Sequence, residues 1–138
     1  MKKLLHSKYL KVGFDAHSPL FEAVDLEICK GDTIALLGLN GVGKSSLLRT
    51  LSGYMPSLSG DVSFERKDLH SLTPREISKN ICMVFSENSF PGYTTVRDYV
   101  AFGRYPHMGW LKKINEQDRM MIDMALKTCH LSKLENRF

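Results

Sequence analysis

Gly38-Leu39-Asn40-Gly41-Val42-Gly43-Lys44-Ser45 combines backbone freedom, one cation and one hydroxyl in the spacing that holds a phosphate chain. Glycines let the backbone turn successive N–H groups inward and form an anion-binding nest at a helix N-terminus. Lys44 then reaches the β- and γ-phosphates, and the Ser45 hydroxyl can ligate Mg²⁺. The fixed positions coincide by chance in roughly one chain in two hundred of this length. The alternative, a Gly-rich turn with an incidental lysine, has to explain why the flanking segments also fit.

Those segments must position the loop. Ile34-Ala35-Leu36-Leu37 is a short apolar run of the kind buried in a parallel sheet, introduced by the turn-like Lys30-Gly31-Asp32. After the loop, Leu47, Leu48 and Leu51 fall on one helical face, and Gly53 followed by Pro56 ends the helix. Upstream, Tyr9 to Phe14 and Phe21 to Ile28 are β-like, separated by the polar segment Asp15 to Pro19. Downstream, Leu58-Ser59-Gly60-Asp61 reads as a turn before the strand Val62-Ser63-Phe64. Pro74-Arg75-Glu76-Ile77 starts a short helix, and Asn80 to Phe85 is a second buried strand.

From about Pro91 the character becomes helical. Thr95 and Asp98 are spaced as a capping box before Tyr99-Val100-Ala101-Phe102, and Gly103 and Pro106 stop that helix. A longer helix starts after Asn115, with Met121, Ile122, Ala125 and Cys129 on one face. The expected division is therefore a strand- and loop-bearing part, residues 1–90, and a helical part, residues 91–138.

With 43% hydrophobic and 25% charged residues, the 138-residue chain is ordinary globular material, enough for one domain core. No run reaches the length of a membrane span. Met1-Lys2-Lys3-Leu4-Leu5 is followed by His6, Ser7 and Lys8 rather than a signal-peptide core, a start cytosolic in character. Cys29, Cys82 and Cys129 are odd in number and widely spaced, which fits buried or free structural thiols better than disulfides or zinc. The net charge of +4 is spread along the chain, its densest pair being Lys112-Lys113, and describes a solvated surface rather than a nucleic-acid footprint.

With these elements in this order, the chain resembles along its full length an ATP-binding cassette ATPase, the motor subunit of a membrane transporter. Gly38 to Ser45, with the Asn40-Gly41 pair, matches the family's first nucleotide motif, and Pro56-Ser57-Leu58-Ser59-Gly60-Asp61-Val62 looks like its turn into the next strand. Thr95-Val96 leading into Gly103-Arg104-Tyr105-Pro106-His107 is similar to importers of iron chelates, haem and cobalamin. The resemblance implies an α/β fold of the P-loop NTPase class, with an antiparallel β-subdomain and the start of a helical subdomain, truncated. It implies ATP and Mg²⁺ as cofactors.

Carried over residue by residue, the resemblance makes Phe14 an aromatic ring stacked on adenine, although core packing uses the same residue type. Gly38, Leu39, Asn40, Gly41, Val42, Gly43 and Lys44 become the phosphate cradle, Ser45 the metal contact, and Ser46 a partner on the α-phosphate side. One position departs from the family's pattern. Where a glutamine usually binds Mg²⁺ and the attacking water, Val84-Phe85-Ser86-Glu87 offers Ser86 and then Glu87. Either can ligate Mg²⁺, but neither reproduces an amide that donates and accepts, and the alternative is a plain polar loop opening.

Leu51-Ser52-Gly53 and Leu58-Ser59-Gly60 are similar to part of the family's Leu-Ser-Gly-Gly signature, but the first closes a helix and the second enters a strand, whereas a signature must open a helix. Met120-Met121-Ile122-Asp123 looks like a strand ending in a Mg²⁺-binding aspartate, yet it lies in a helical pattern. His107 and Trp110 are candidates for touching a membrane partner, His107 alternatively being an ordinary surface residue.

The chain stops at Phe138, where the resemblance would bring in the signature, the aspartate-glutamate strand and the switch histidine. A fragment of a longer protein is the simplest explanation, and by itself it is expected to bind nucleotide weakly at most, with no steady hydrolysis. The whole protein is expected to be a cytoplasmic ATPase, peripheral on the inner face of the cell membrane. It would act as a homodimer on permease subunits, served by an external substrate-binding protein, to import an iron chelate, haem or cobalamin. No nucleic acid is expected. Two rivals keep the loop: a soluble phosphotransferase or GTPase, for which Ser78-Lys79-Asn80 does not supply the guanine-reading Asn-Lys-x-Asp, and a cassette ATPase of translation or DNA repair, whose binding would be steeply salt-dependent.

Overall fold

Strand β1 (Lys3–Val12) is longer than its sequence pattern predicts. In the computed structural model, which describes residues 2–85, 92–109 and 113–138, β1 pairs antiparallel with β2 (Phe21–Cys29) on one side and β3 (Ser59–Phe64) on the other. The short β4 (Lys67–Asp68) completes the order β2-β1-β3-β4. The alternation in β1 is hidden because its fully buried residues, Ser7, Leu10 and Val12, switch phase at a bulge. Ser7 is tolerated there because its hydroxyl donates to the Val24 carbonyl at 2.9 Å.

The bulge explains Gly60. Lys8 pairs with Asp61 and Lys11 with Ser59, so Tyr9 and Leu10 together face Gly60. Tyr9 adopts φ 47°, and its N–H donates to Asp25 Oδ1. A Cβ on Gly60 would lie 2.3 Å from the Tyr9 carbonyl oxygen. Ser59-Gly60-Asp61 is therefore part of β3, not the turn that the Gly and Asp predict. The turn lies later, where Phe64 pairs with Lys67 and leaves Glu65 and Arg66, φ 48° and 68°, as a two-residue hairpin connection.

Helix α1 (Lys44–Leu51) packs Leu47 and Leu51 on Leu10, Val12, Val62 and Leu69. Leu48, expected on that face, is half exposed, because the inward stripe runs through Leu47, Thr50 and Leu51. The helix ends where Gly53 donates to the Thr50 carbonyl and Tyr54 to the Arg49 carbonyl, 3.1 and 2.9 Å, the paired bonds of a Schellman stop. The short α2 (Pro74–Ser78) is opened by a reciprocal box between Thr73 and Glu76.

Two expected core strands are not strands. Ile34-Ala35-Leu36-Leu37 and Asn80 to Phe85 join no ladder among the described residues, and Leu37 and Val84 are 88% and 86% exposed. Apolar runs of this length signal burial, but a strand also needs a neighbour's N–H and C=O groups, and the sheet supplies none to either run. Cys82, expected to be buried, is exposed, as is Cys129, and all three cysteines are free.

The chain divides into compact units at Met1–Met83 and Val84–Phe138. In the second, α3 (Val96–Phe102) packs on α4 (Glu116–Thr128) through Ala101, Ile122 and Leu126. Of the expected face of α4 only Ile122 is buried: Asp118, Ile122 and Leu126 point inward, whereas Met121, Ala125 and Cys129 are exposed. Asp118 was hard to foresee because burying a carboxylate requires partners. It accepts from Arg104 Nε at 2.9 Å and from the Asn115 N–H at 3.2 Å. At α3 the Thr95 hydroxyl accepts from the Asp98 N–H but donates to the Asp98 carboxylate, so half of the expected box forms.

Arg66 holds a left-handed conformation that costs an L side chain about 1–2 kcal/mol. Arg66→Gly is expected to stabilise the chain by about 0.5–1 kcal/mol, read as a higher Tm in thermal denaturation. The Arg104 guanidinium, helped by the Asn115 N–H, holds the Asp118 carboxyl below its ordinary value of 3.8. A depressed native pKa contributes stability that is fully present above the unfolded value and is lost as pH falls through the native one. Asp118→Asn is thus expected to lower Tm at neutral pH and to flatten the loss of stability below about pH 4, measured by melts across a pH series.

Candidate functional site

Among the described residues, three of the four α-helices close their N-termini with their own side chains. Thr73, Thr95 and Asn115 cap α2, α3 and α4, and each has a carboxylate in its first turn. At α1 the N-cap is Gly43, with no side-chain cap and no acidic residue in the first turn. The positive end of α1 is thereby left for an anion from outside the chain.

The loop feeding that helix end is shaped by its glycines. Gly43 sits at φ +104°, a conformation open to glycine and strained for other residues. It is also tightly packed: a Cβ there would lie 3.0 Å from Phe21 Cε2 and 3.1 Å from Leu20 Cβ and Cδ1. Gly38 and Gly41 are also at positive φ, and Leu39, Asn40, Gly41 and Val42 are exposed. Lys44 folds back over this loop, its Nζ donating to the carbonyls of Gly38 at 2.8 Å and Leu39 at 2.7 Å. An ammonium has three N–H groups, so among the described residues one remains for an incoming oxygen.

Ser45 is exposed in the first turn of α1, and Ser46 beside it is 8% exposed. Phe14 is 76% exposed, so it does not pack in the core. It leaves the end of β1 on a connection that returns at Leu20, whose N–H donates to the Val12 carbonyl at 2.8 Å. Since Leu20 and Phe21 touch Gly43, the fold brings the connection carrying Phe14 against the phosphate loop. Leu20 and Phe21 were not singled out from sequence, because a Leu-Phe pair at a strand start is ordinary core material. Ser86, Glu87 and Trp110 lie outside the described residues. His107 is exposed at the end of a 3-10 turn, Tyr105–His107, in the second unit. The signature look-alikes are structural: Ser52-Gly53 closes α1, Ser59-Gly60 lies in β3, and Met120 to Asp123 lies in α4.

These residues fit a nucleoside phosphate with Mg²⁺. The uncapped helix end and Lys44 provide positive charge with no carboxylate in the first turn of α1, and the Ser45 hydroxyl provides a hard oxygen donor for the metal. Fold and loop together define a P-loop nucleotide-binding protein.

The comparisons then place it. The profile of the family described as ABC transporter matches residues 21–138, and the chain belongs to that family. It is 34% identical over 119 residues to an uncharacterized ABC transporter ATP-binding protein of Methanocaldococcus jannaschii, covering 86% of this chain and 41% of that protein. It is 31% identical to the petrobactin import ATP-binding protein FpuC of Bacillus anthracis, covering 90% and 46%, and 30% identical to the iron(3+)-hydroxamate import ATP-binding protein FhuC of Bacillus subtilis, covering 96% and 49%. The chain thus spans about half the length of these relatives. A nucleotide-free ATP-binding cassette from an ABC transporter superposes with TM-score 0.76 at 25% identity, over 98% of this chain and 57% of that one.

Gly43→Ala would combine a left-handed backbone with contacts on Phe21 and Leu20. It is expected to destabilise the first unit by about 1–3 kcal/mol and to weaken nucleotide binding, checked by thermal melts and by calorimetry.

Proposed function

We propose that this chain is the ATP-binding part of an importer ATPase subunit, with Phe14 stacking on adenine, Gly38 to Lys44 cradling the phosphates and Ser46 on the α-phosphate side. Ser45 would hold Mg²⁺; Ser86 and Glu87, the further metal candidates of the sequence, lie outside the described residues. The observation that carries this reading is Lys44 folded over the glycine loop at an uncapped helix end. Bound Mg²⁺ would supply charge neutralisation on the phosphate oxygens. The protein's own contribution is to orient the phosphate chain and offset its charge before any reaction.

The whole protein would work as a homodimer on permease subunits, peripheral on the inner face of the membrane and fed by an external substrate-binding protein. ATP binding and hydrolysis would drive uptake of an iron chelate, haem or cobalamin. The names of the petrobactin and hydroxamate import relatives favour the iron chelate. No helix among the described residues is long and apolar enough to cross a membrane. The 138-residue chain holds a phosphate cradle and part of a metal shell, so we assign it nucleotide binding without steady turnover.

Removing the ammonium deletes a charge-assisted contact of about 1.5–3 kcal/mol, so Lys44→Ala is expected to weaken Mg·ATP binding by about ten- to a hundredfold in calorimetric titration. Unchanged affinity would remove the nucleotide reading. Robust ATP turnover by the 138-residue chain, abolished by the same substitution, would contradict its assignment as binding without turnover.

A further inference from the structure

Leu20 has no polar atom to offer a nucleotide and is 39% exposed, yet it stands between two parts of the site. On one side its Cβ and Cδ1 lie 3.1 Å from where a Cβ of Gly43 would be. On the other side, the Leu20 N–H and Pro19 Cα both lie 3.1 Å from the place a Cβ would take on buried Gly13, the residue before Phe14. The Leu20 N–H also donates to the Val12 carbonyl at 2.8 Å, which pins the return of the connection to the strand it left. A continuous packed path thus runs from Phe14 through Gly13 and Leu20 to Gly43. At both glycines a Cβ would lie closer to its neighbours than side chains ordinarily do, so the spacing is set by contact rather than by chance proximity.

We infer that Leu20 is a positioning residue that couples the connection bearing Phe14 to the phosphate loop, holding ring and phosphate cradle at one separation. The inference rests on the nucleotide-binding reading above and adds that recognition of the base is tied mechanically to recognition of the phosphates. A ligand that uses both ends, a nucleoside triphosphate, needs the coupling. Inorganic tripolyphosphate, which uses only the loop, does not.

Calorimetric titration of the 138-residue chain with Mg·ATP and with Mg·tripolyphosphate separates the two. Leu20→Ala is expected to weaken Mg·ATP about tenfold and Mg·tripolyphosphate by clearly less, whereas Leu20→Met, which keeps the volume, behaves as the parent. In a Phe14→Ala background, Leu20→Ala is expected to cost nothing further, because the part it positions is gone. Equal weakening of both ligands, or full additivity with Phe14→Ala, would overturn the coupling and make Leu20 a structural residue. If the parent chain binds neither ligand, the nucleotide reading itself falls, whereas binding of both without the Leu20 split removes this inference alone.

Discussion

Gly43 stands where the sheet, the helix and the phosphate loop meet, and its left-handed backbone against Leu20 and Phe21 is the constraint on which the site depends. A residue with a side chain would both resist φ +104° and crowd Leu20 and Phe21 at the start of β2. With glycine there, α1 begins directly at the wall of the sheet, and its buried Leu47 and Leu51 lock the helix onto Leu10, Val12 and Val62. The helix end is then held in place by an apolar core that takes no part in ligand chemistry. Burial of each such leucine is worth about 1.5–3 kcal/mol, which is what keeps an uncapped, charge-hungry terminus from fraying.

Electrostatics follows from that placement. The other helices satisfy their own first turns with Thr73, Thr95 and Asn115 and with neighbouring carboxylates, whereas α1 does not. Lys44 meanwhile spends part of its donor capacity on Gly38 and Leu39, which preorganises the loop around a cation. A phosphate chain entering such a nest meets donors already aimed, so little reorganisation is required of the protein.

The loop was legible in the sequence because its chemistry permits few substitutes: glycine at Gly43, an ammonium at Lys44, a hydroxyl at Ser45. The β-like runs upstream of the loop were legible from alternation and the helical segment after Thr95 from its capping residues, whereas their antiparallel arrangement came only with the family resemblance. What stayed hidden were features where a polar group is buried or a pattern changes phase. Ser7 and Asp118 are buried through particular partners, Val24 and Arg104, which composition does not announce. The bulge at Tyr9 shifted the inward set of β1, and the turn at Glu65-Arg66 uses residues that carry no turn signal. The apolar runs Ile34 to Leu37 and Asn80 to Phe85 read as strands because hydrophobicity reports burial and says nothing of pairing. The contact of Leu20 and Phe21 with Gly43 is long-range, joining residues more than twenty positions apart, and no local pattern encodes it.

The most direct measurement is an amide chemical-shift titration of the isotopically labelled 138-residue chain with Mg·ATP, compared with adenosine. A phosphate cradle seated on the wall of the sheet predicts the largest shifts at Gly38 to Ser46, smaller ones around Phe14 and Leu20, and little response of the loop to adenosine. Shifts absent from Gly38 to Ser46, or equal with adenosine, would contradict it.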